Sequence, residues 1–214
     1  GFVDDNPEHL LGWIFYGRFL NQIGRSDAAI PVLARADELD PTTAVVKQQL
    51  AAAFIDLGRF REAFPLLLEA LALQPDEPVY FHQLGQFLQS YRNALVEDEA
   101  FDHRQIDRQM LEAFREAAAL DPSNRDRQIR YAEAYDDLHE PRWKEALEHW
   151  DALERTAVST REREAIHLFQ ARIQIRLGQW EKAESLLATI ENPALFPARD
   201  RLRARMAAAQ STND

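Results

Sequence analysis

The side chains best suited to chemistry are six histidines, His9, His82, His103, His139, His149 and His167, set among many carboxylates. Acid–base or nucleophilic catalysis needs a histidine or carboxylate held beside a reacting group, and these histidines are spread along the whole chain rather than gathered. Glu145 and His149 stand four apart, which places them on one helix face and reads as a surface pair. His103 follows Glu97, Asp98, Glu99 and Asp102, but the run lacks the D-x-[DN]-x-[DN]-G order of a cation-binding loop, so no metal is expected. The chain also lacks G-x-x-x-x-G-K-[ST], G-x-S-x-G and H-E-x-x-H. Without cysteine it has no thiolate nucleophile, disulfide or thiolate zinc site. No catalytic residue and no cofactor is assigned, and the chain is expected not to be an enzyme.

Composition narrows the partners. The chain has 214 residues, 46% hydrophobic and 29% charged, with a net charge of −11. That charge argues against nucleic acid, whose phosphates need a concentrated basic surface. The longest apolar stretch, Leu10 to Ile23, is broken by Gly17, Arg18, Asn21 and Gln22, so membrane insertion is not expected. No secretory leader is visible after Gly1, and the absence of cysteine fits cytoplasm and periplasm alike. Compartment is therefore left open.

What must position any binding residues is a repeat. Gly24 and Gly58, Ala29 and Ala63, Ala36 and Ala70, and Pro41 and Pro75 are each 34 residues apart. Self-similarity at that period means stacked supersecondary units. Gly24, Gly58 and Gly178 fall where a first helix ends and the chain must turn, a place where positive φ is cheap for glycine. Pro41, Pro75 and Pro122 stop the second helices. Pro31 and Pro65 are expected near the start of a second helix, where few donors precede them. Pro122 lies 47 residues after Pro75, so the third unit holds 13 extra residues. Phe101, Ile106, Met110 and Phe114 keep a near-helical spacing there, which predicts that both helices of this unit are lengthened into a projecting hairpin. Leu95, Val96 and Phe101 at its tip are expected to close the hairpin on itself.

The residues of these units resemble the tetratricopeptide repeat. The first carries Trp13, Tyr16, Gly17 and Leu20, then Ala29, Leu33 and Pro41. The second has Leu50, Ala51 and Phe54, then Ala63, Leu67 and Pro75. The third opens with Phe81, Leu84, Gly85 and Leu88 and closes with Phe114, Ala117 and Pro122. A weaker fourth uses Tyr131, Ala132, Tyr135, Ala146 and Trp150, and a fifth Ala171, Gly178, Ala183 and Leu187. Small residues at Gly17, Ala51, Gly85, Ala132 and Ala171 let the paired helices approach. The resemblance implies an all-α, right-handed superhelical α-solenoid of about five helix-turn-helix repeats. Its units would span 10–43, 44–77, 78–124, 125–160 and 164–196 within a single domain, 1–214. A capping helix at 197–210 would pack through Leu202 and Met206 and turn Arg199, Arg201, Arg203 and Arg205 to solvent.

The resemblance also implies a function. In such repeats the first helices line a concave groove that reads a peptide, through the second, fifth, ninth, twelfth and thirteenth residues of each unit. Here those positions supply Ile14, Arg18, Asn21, Gln48, Asp56, His82, Gln86 and Gln89 as candidate contacts. Amides with a few apolar groups suit an extended peptide, so a scaffold binding a segment of a partner protein is expected. The carboxylate clamp of chaperone-tail binders is excluded, because its five positions, three of them cationic, map to Ile14, Arg18, Ala52, His82 and Gln86, with one cation remaining. Asp126, Glu133, Asp136 and Asp137 in the fourth unit are expected to pair with Arg172 and Arg176 in the fifth. The first helix is apolar round most of its circumference, so Phe15 and Phe19 need an upstream repeat, a second copy in a homodimer, or a partner. Self-assembly through that helix, and a role as the non-catalytic binding segment of a larger enzyme, stay as alternatives.

Overall fold

The computed structural model describes residues 2–97 and 101–211, and among them there is no β-strand. The chain forms two compact units, Gly1–Arg127 and Gln128–Asp214. The first contains α1 (Phe2–Asp5), α2 (Leu10–Gln22), α3 (Ser26–Leu39), α4 (Ala44–Asp56), α5 (Phe60–Leu73), α6 (Pro78–Ser90), α7 (Arg92–Glu97) and α8 (His103–Leu120). Helices α2 and α3, α4 and α5, and α6 and α8 pair as hairpins.

The hairpin turns follow from three glycines. Gly24, Gly58 and Gly178 have φ of 72°, 71° and 71°. At each, the glycine N–H and the next residue's N–H close the preceding helix in a Schellman pattern. Gly58 N donates to Ile55 O at 2.9 Å and Arg59 N to Phe54 O at 2.8 Å, and the bonds at Gly24 and Gly178 repeat this geometry. A Cβ at any of the three would meet nothing within 4 Å, so the demand for glycine is conformational. At Gly17 and Gly85 the demand is for space. A Cβ on Gly17 would overlap the Leu33 side chain, and one on Gly85 would lie 2.8–2.9 Å from the Phe114 ring.

Stacking of one hairpin on the next makes the core of this unit. Ile14, Leu20, Ala29, Leu33, Ala36, Val46, Leu50 and Ala53, from α2, α3 and α4, form one buried cluster. Lys47 sits in the same interface, its Nζ 2.9 Å from both Asp37 and Glu69. Burial favours the neutral amine, but the bonds to the two carboxylates outweigh it and hold the ammonium above the usual lysine range.

Two expectations need correction. Pro31 and Pro65 stand sixth in α3 and α5, beyond the opening turn, so each removes an intrahelical bond to the carbonyl four residues back. Both prolines stand at exposed positions of their helices. In the third repeat only the second helix is lengthened. Helix α8 has 18 residues, whereas α6 keeps 13, as in α2 and α4. The remaining insertion forms α7, which folds down rather than projecting: Leu95 is buried and Arg92 pairs with buried Asp107 at 2.7 Å. Phe101 packs edge-on against Phe64, with centroids 5.4 Å apart. Asp102 then caps α8, accepting from Gln105 N while Asp102 N donates to the Gln105 side chain. Asp98 and Glu99 lie outside the described residues.

The second unit contains most of α9 (Arg125–Ala134), a 3₁₀ turn at Tyr135–Asp137, α10 (Trp143–Arg155), α11 (Thr160–Arg176), α12 (Trp180–Ala188), a second 3₁₀ turn at Pro193–Leu195, and α13 (Phe196–Ser211). No glycine follows α9, and the chain leaves it through the tighter turn into extended backbone at Leu138. Trp150 is fully buried and stacks on Phe169 with centroids 4.2 Å apart. Ala171, Leu187, Ile190 and Leu202 join α11, α12 and α13 in a second cluster. Of the α13 arginines, Arg203 pairs with Glu184 at 2.6 Å and Arg199 lies over Phe196, while Arg201 and Arg205 are exposed.

Gly58 separates conformation from space. Gly58→Ala is expected to lose about 1–2 kcal/mol, the cost of the left-handed region for a residue with a Cβ, and Gly58→Asn to lose less. Urea unfolding midpoints check this; equal losses would mean that φ is not the cause.

Candidate functional site

Residues of α4 and α6 in the first unit line a common cleft of about 390 Å³. One wall is Gln48, Ala52, Ile55 and Asp56 from α4. The other is Gln83, Gln86, Phe87, Gln89 and Ser90 from α6, with Tyr91 beyond its end and Leu67 of α5 at the base. The far wall is fixed by aromatic packing: Tyr91 stacks on Phe60 at 4.1 Å, and Phe87 on Phe64 at 5.9 Å. One Asp56 oxygen accepts from Ser26 Oγ at 2.9 Å, which ties the near wall to α3. The lining is thus rich in amides that can both donate and accept, beside a strip of apolar and aromatic surface.

The structure gathers Gln48, Asp56, Gln86 and Gln89 around this cleft and places the other candidates elsewhere. Ile14 is only 7% exposed and belongs to the core cluster, so it offers no ligand surface. Arg18 is exposed on α2, away from the cleft. Asn21 Nδ2 donates to the Gln49 backbone carbonyl at 2.9 Å and so joins α2 to α4. His82 is half-buried and packs edge-on to Phe114, 5.7 Å between centroids, within its own repeat. Gln83, Phe87 and Tyr91 were missed by the position rule. The i, i+4 aromatic pair Phe87 and Tyr91 was the available signal.

Phe15 and Phe19 are 65% and 53% exposed, with Leu11, Tyr16 and Ile23 beside them also open. They form an apolar face of α2 that the described residues do not cover.

In the second unit Arg172 bonds to Asp136, as the charge pattern suggests, and Arg130 reaches Asp137 at 3.4 Å. Arg176 lies over the Trp143 ring at 5.9 Å. Burial raises the Asp136 carboxyl above the usual range despite Arg172. The Glu145–His149 surface pair does not form as read. Glu145 takes Arg142, while His149 turns inward and its Nε2 lies 3.0 Å from the buried Tyr135 hydroxyl. Burial pushes His149 down and Tyr135 up, so both stay neutral near pH 7. Among the described residues no three His, Asp or Glu side chains are placed to hold a metal, and no helix is long and apolar enough to cross a membrane.

Stacked helical hairpins with amide-lined first helices define an all-α helical-repeat fold. The tetratricopeptide repeat family model matches residues 4–85, within the first unit. The fold of the chain is similar to that of the TPR protein YrrB, with a TM-score of 0.66 at 16% identity, over 99% of this chain and 96% of that one. MamA gives 0.65 at 16% identity, over 93% and 96%. Naa15/Naa10 bound to HypK-THB gives 0.64 at 16% identity, over 99% of this chain and 30% of that one. No curated protein matches the chain in sequence.

The Asn21 bond implies a structural role. Asn21→Ala is expected to cost about 1 kcal/mol, read by chemical denaturation. Unchanged stability with altered partner binding would make Asn21 a ligand contact instead.

Proposed function

We propose that the chain is a non-catalytic protein–protein interaction scaffold that takes an extended peptide segment of a partner into the cleft between α4 and α6. The observation that carries this reading is the lining itself. Gln48, Gln83, Gln86 and Gln89 supply donors and acceptors for a peptide backbone, and Ala52, Ile55 and Tyr91 supply apolar contact for its side chains. The structural neighbour YrrB, a TPR protein with an unusual peptide-binding site, supports peptide binding as a use of this fold. The reading names Gln48, Asp56, Gln86 and Gln89 as contacts. It leaves out Ile14, Asn21 and His82, whose side chains are occupied by packing or by a bond to a neighbouring helix.

A photo-crosslinking residue in place of exposed Gln86 should capture a defined protein that the same group in place of Glu112, exposed on α8, does not. Gln86→Ala with Gln89→Ala should weaken binding of that protein by at least about fivefold for each hydrogen bond lost. Identical captures from both positions would remove the cleft as the site.

A second reading is favoured by the open face of α2: two copies associate through Leu11, Phe15 and Phe19, removing exposed apolar surface from water. Sedimentation equilibrium should then give twice the chain mass, returning to one chain in Phe15→Ser with Phe19→Ser. A single-chain mass for the unaltered protein would dismiss this reading.

A further inference from the structure

The second unit holds a polar cleft that the groove does not use. It measures about 460 Å³ and is bounded by Leu147, Asp151 and Glu154 of α10, Gln170 and Gln174 of α11, and residues of α12. Its wall is thus built largely from second helices, α10 and α12, not from the first-helix face that lines the groove in the other unit.

The chemistry of this wall is specific. Gln170 is 3% exposed, and its Nε2 donates at 2.8 Å to Asp151 Oδ1 and at 2.8 Å to Glu154 Oε2. Two carboxylates therefore converge on one neutral amide. With both protons of that amide spent, its orientation is fixed, and the Gln170 carbonyl oxygen is buried without a partner among the described residues. Gln174, 7% exposed on the next turn of α11, also has a buried carbonyl oxygen without a partner. Glu154 is held from behind, its other oxygen lying 3.0 Å from His167 Nε2, and His167 Nδ1 lies 2.6 Å from Thr189 Oγ1. Burial raises the Glu154 carboxyl, but the bonds from Gln170 and His167 outweigh this and keep it below the usual glutamate range. Lys182 also lines the cleft, yet among the described residues it pairs with neither carboxylate.

Like charges brought together around a neutral amide, beside acceptors that have no donor, are costly unless a cation fills the gap. Apart from Lys182, the charged groups lining the cleft, Asp151, Glu154 and Glu181, are all acidic, and among the described residues no three His, Asp or Glu side chains are placed to hold a metal. We propose that the cleft among α10, α11 and α12 is a second binding site, which takes the guanidinium or ammonium group of an arginine or lysine side chain from a basic segment of a partner protein. Asp151 and Glu154 neutralise the cation, and the Gln170 and Gln174 carbonyls accept its remaining N–H groups. Through Glu154, His167 acts as a positioning residue.

The test uses the full chain, ¹⁵N-labelled, titrated with the pentapeptides Ac-Ala-Ala-Arg-Ala-Ala-NH₂ and Ac-Ala-Ala-Lys-Ala-Ala-NH₂, and with the glutamine analogue as the neutral control. Saturable shifts centred on the Gln170 and Gln174 side-chain amides are expected from one or both cationic peptides and not from the neutral one. Asp151→Asn, which keeps an acceptor for Gln170, should weaken binding at least tenfold. Glu112→Gln in the first unit, which changes the net charge equally, should leave it unaltered. Thermal melting of each variant shows whether the fold is intact, and Glu181→Gln at the rim serves as the milder substitution if Asp151→Asn melts early. Unsaturable shifts scattered over the acidic surface, equal binding of the neutral peptide, or equal weakening by Glu112→Gln would overturn the proposal. Because these residues lie in the second unit, either result leaves the α4–α6 cleft to be judged by its own experiment.

Discussion

Everything in the first unit depends on how closely the two helices of a hairpin can approach. At Gly17 there is no room for even a methyl group beside Leu33, and at Gly85 the Phe114 ring occupies the corresponding place. The large partner comes from the second helix in both cases, and it is fully buried. A small residue facing a large one sets the helix spacing and locks rotation about each axis, because turning either helix would drive the large side chain into backbone. The turn then has to be short and tightly closed, which the positive-φ glycines and their paired N–H bonds provide at no side-chain cost.

Locked rotation decides which residues can meet a ligand. On α4, Leu50, Ala51 and Ala53 are committed to the core, and the side left over presents Gln48, Ala52, Ile55 and Asp56. On α6, Leu84, Gly85 and Leu88 are likewise committed, which turns Gln83, Gln86 and Gln89 toward the same space. Polar side chains there are not a stability device, since they gain little from one another in water. On the proposed function, their value is that a peptide backbone can exchange water for them with its own hydrogen bonds kept.

Much of this was legible because it repeats. The 34-residue spacing of Gly24 and Gly58 marked two turns whose geometry proves the same to within a degree, and Gly178 marked a third. The position rule selected Gln48 and Gln86, which line the cleft between α4 and α6. It failed at Ile14, because the first helix has its core on a side that the rule assigns to ligand, and at His82, whose ring is taken up by Phe114. The insertion was misjudged for a related reason. The apolar spacing of Ile106, Met110 and Phe114 showed that α8 extends, but nothing local showed that Arg92 would find Asp107 and draw the remaining residues into a short packed helix.

The polar cleft of the second unit was invisible in sequence for a reason that also explains its interest. Asp151, Glu154, Gln170 and Gln174 are ordinary helix residues, 16 and 19 positions apart where they bond, and no repeat template assigns them a role. A solenoid needs only apolar side chains between neighbouring helices, and leucine at 170 and 174 would pack that interface without desolvating any carboxylate. Burying two amides and orienting two acids at such a place costs free energy that the fold does not require. Part is recovered through the bonds from Gln170 to both acids and from His167 to Glu154, but the two amide carbonyls have no partner among the described residues. Structure retained against its own stability is where a ligand's contribution is most naturally sought.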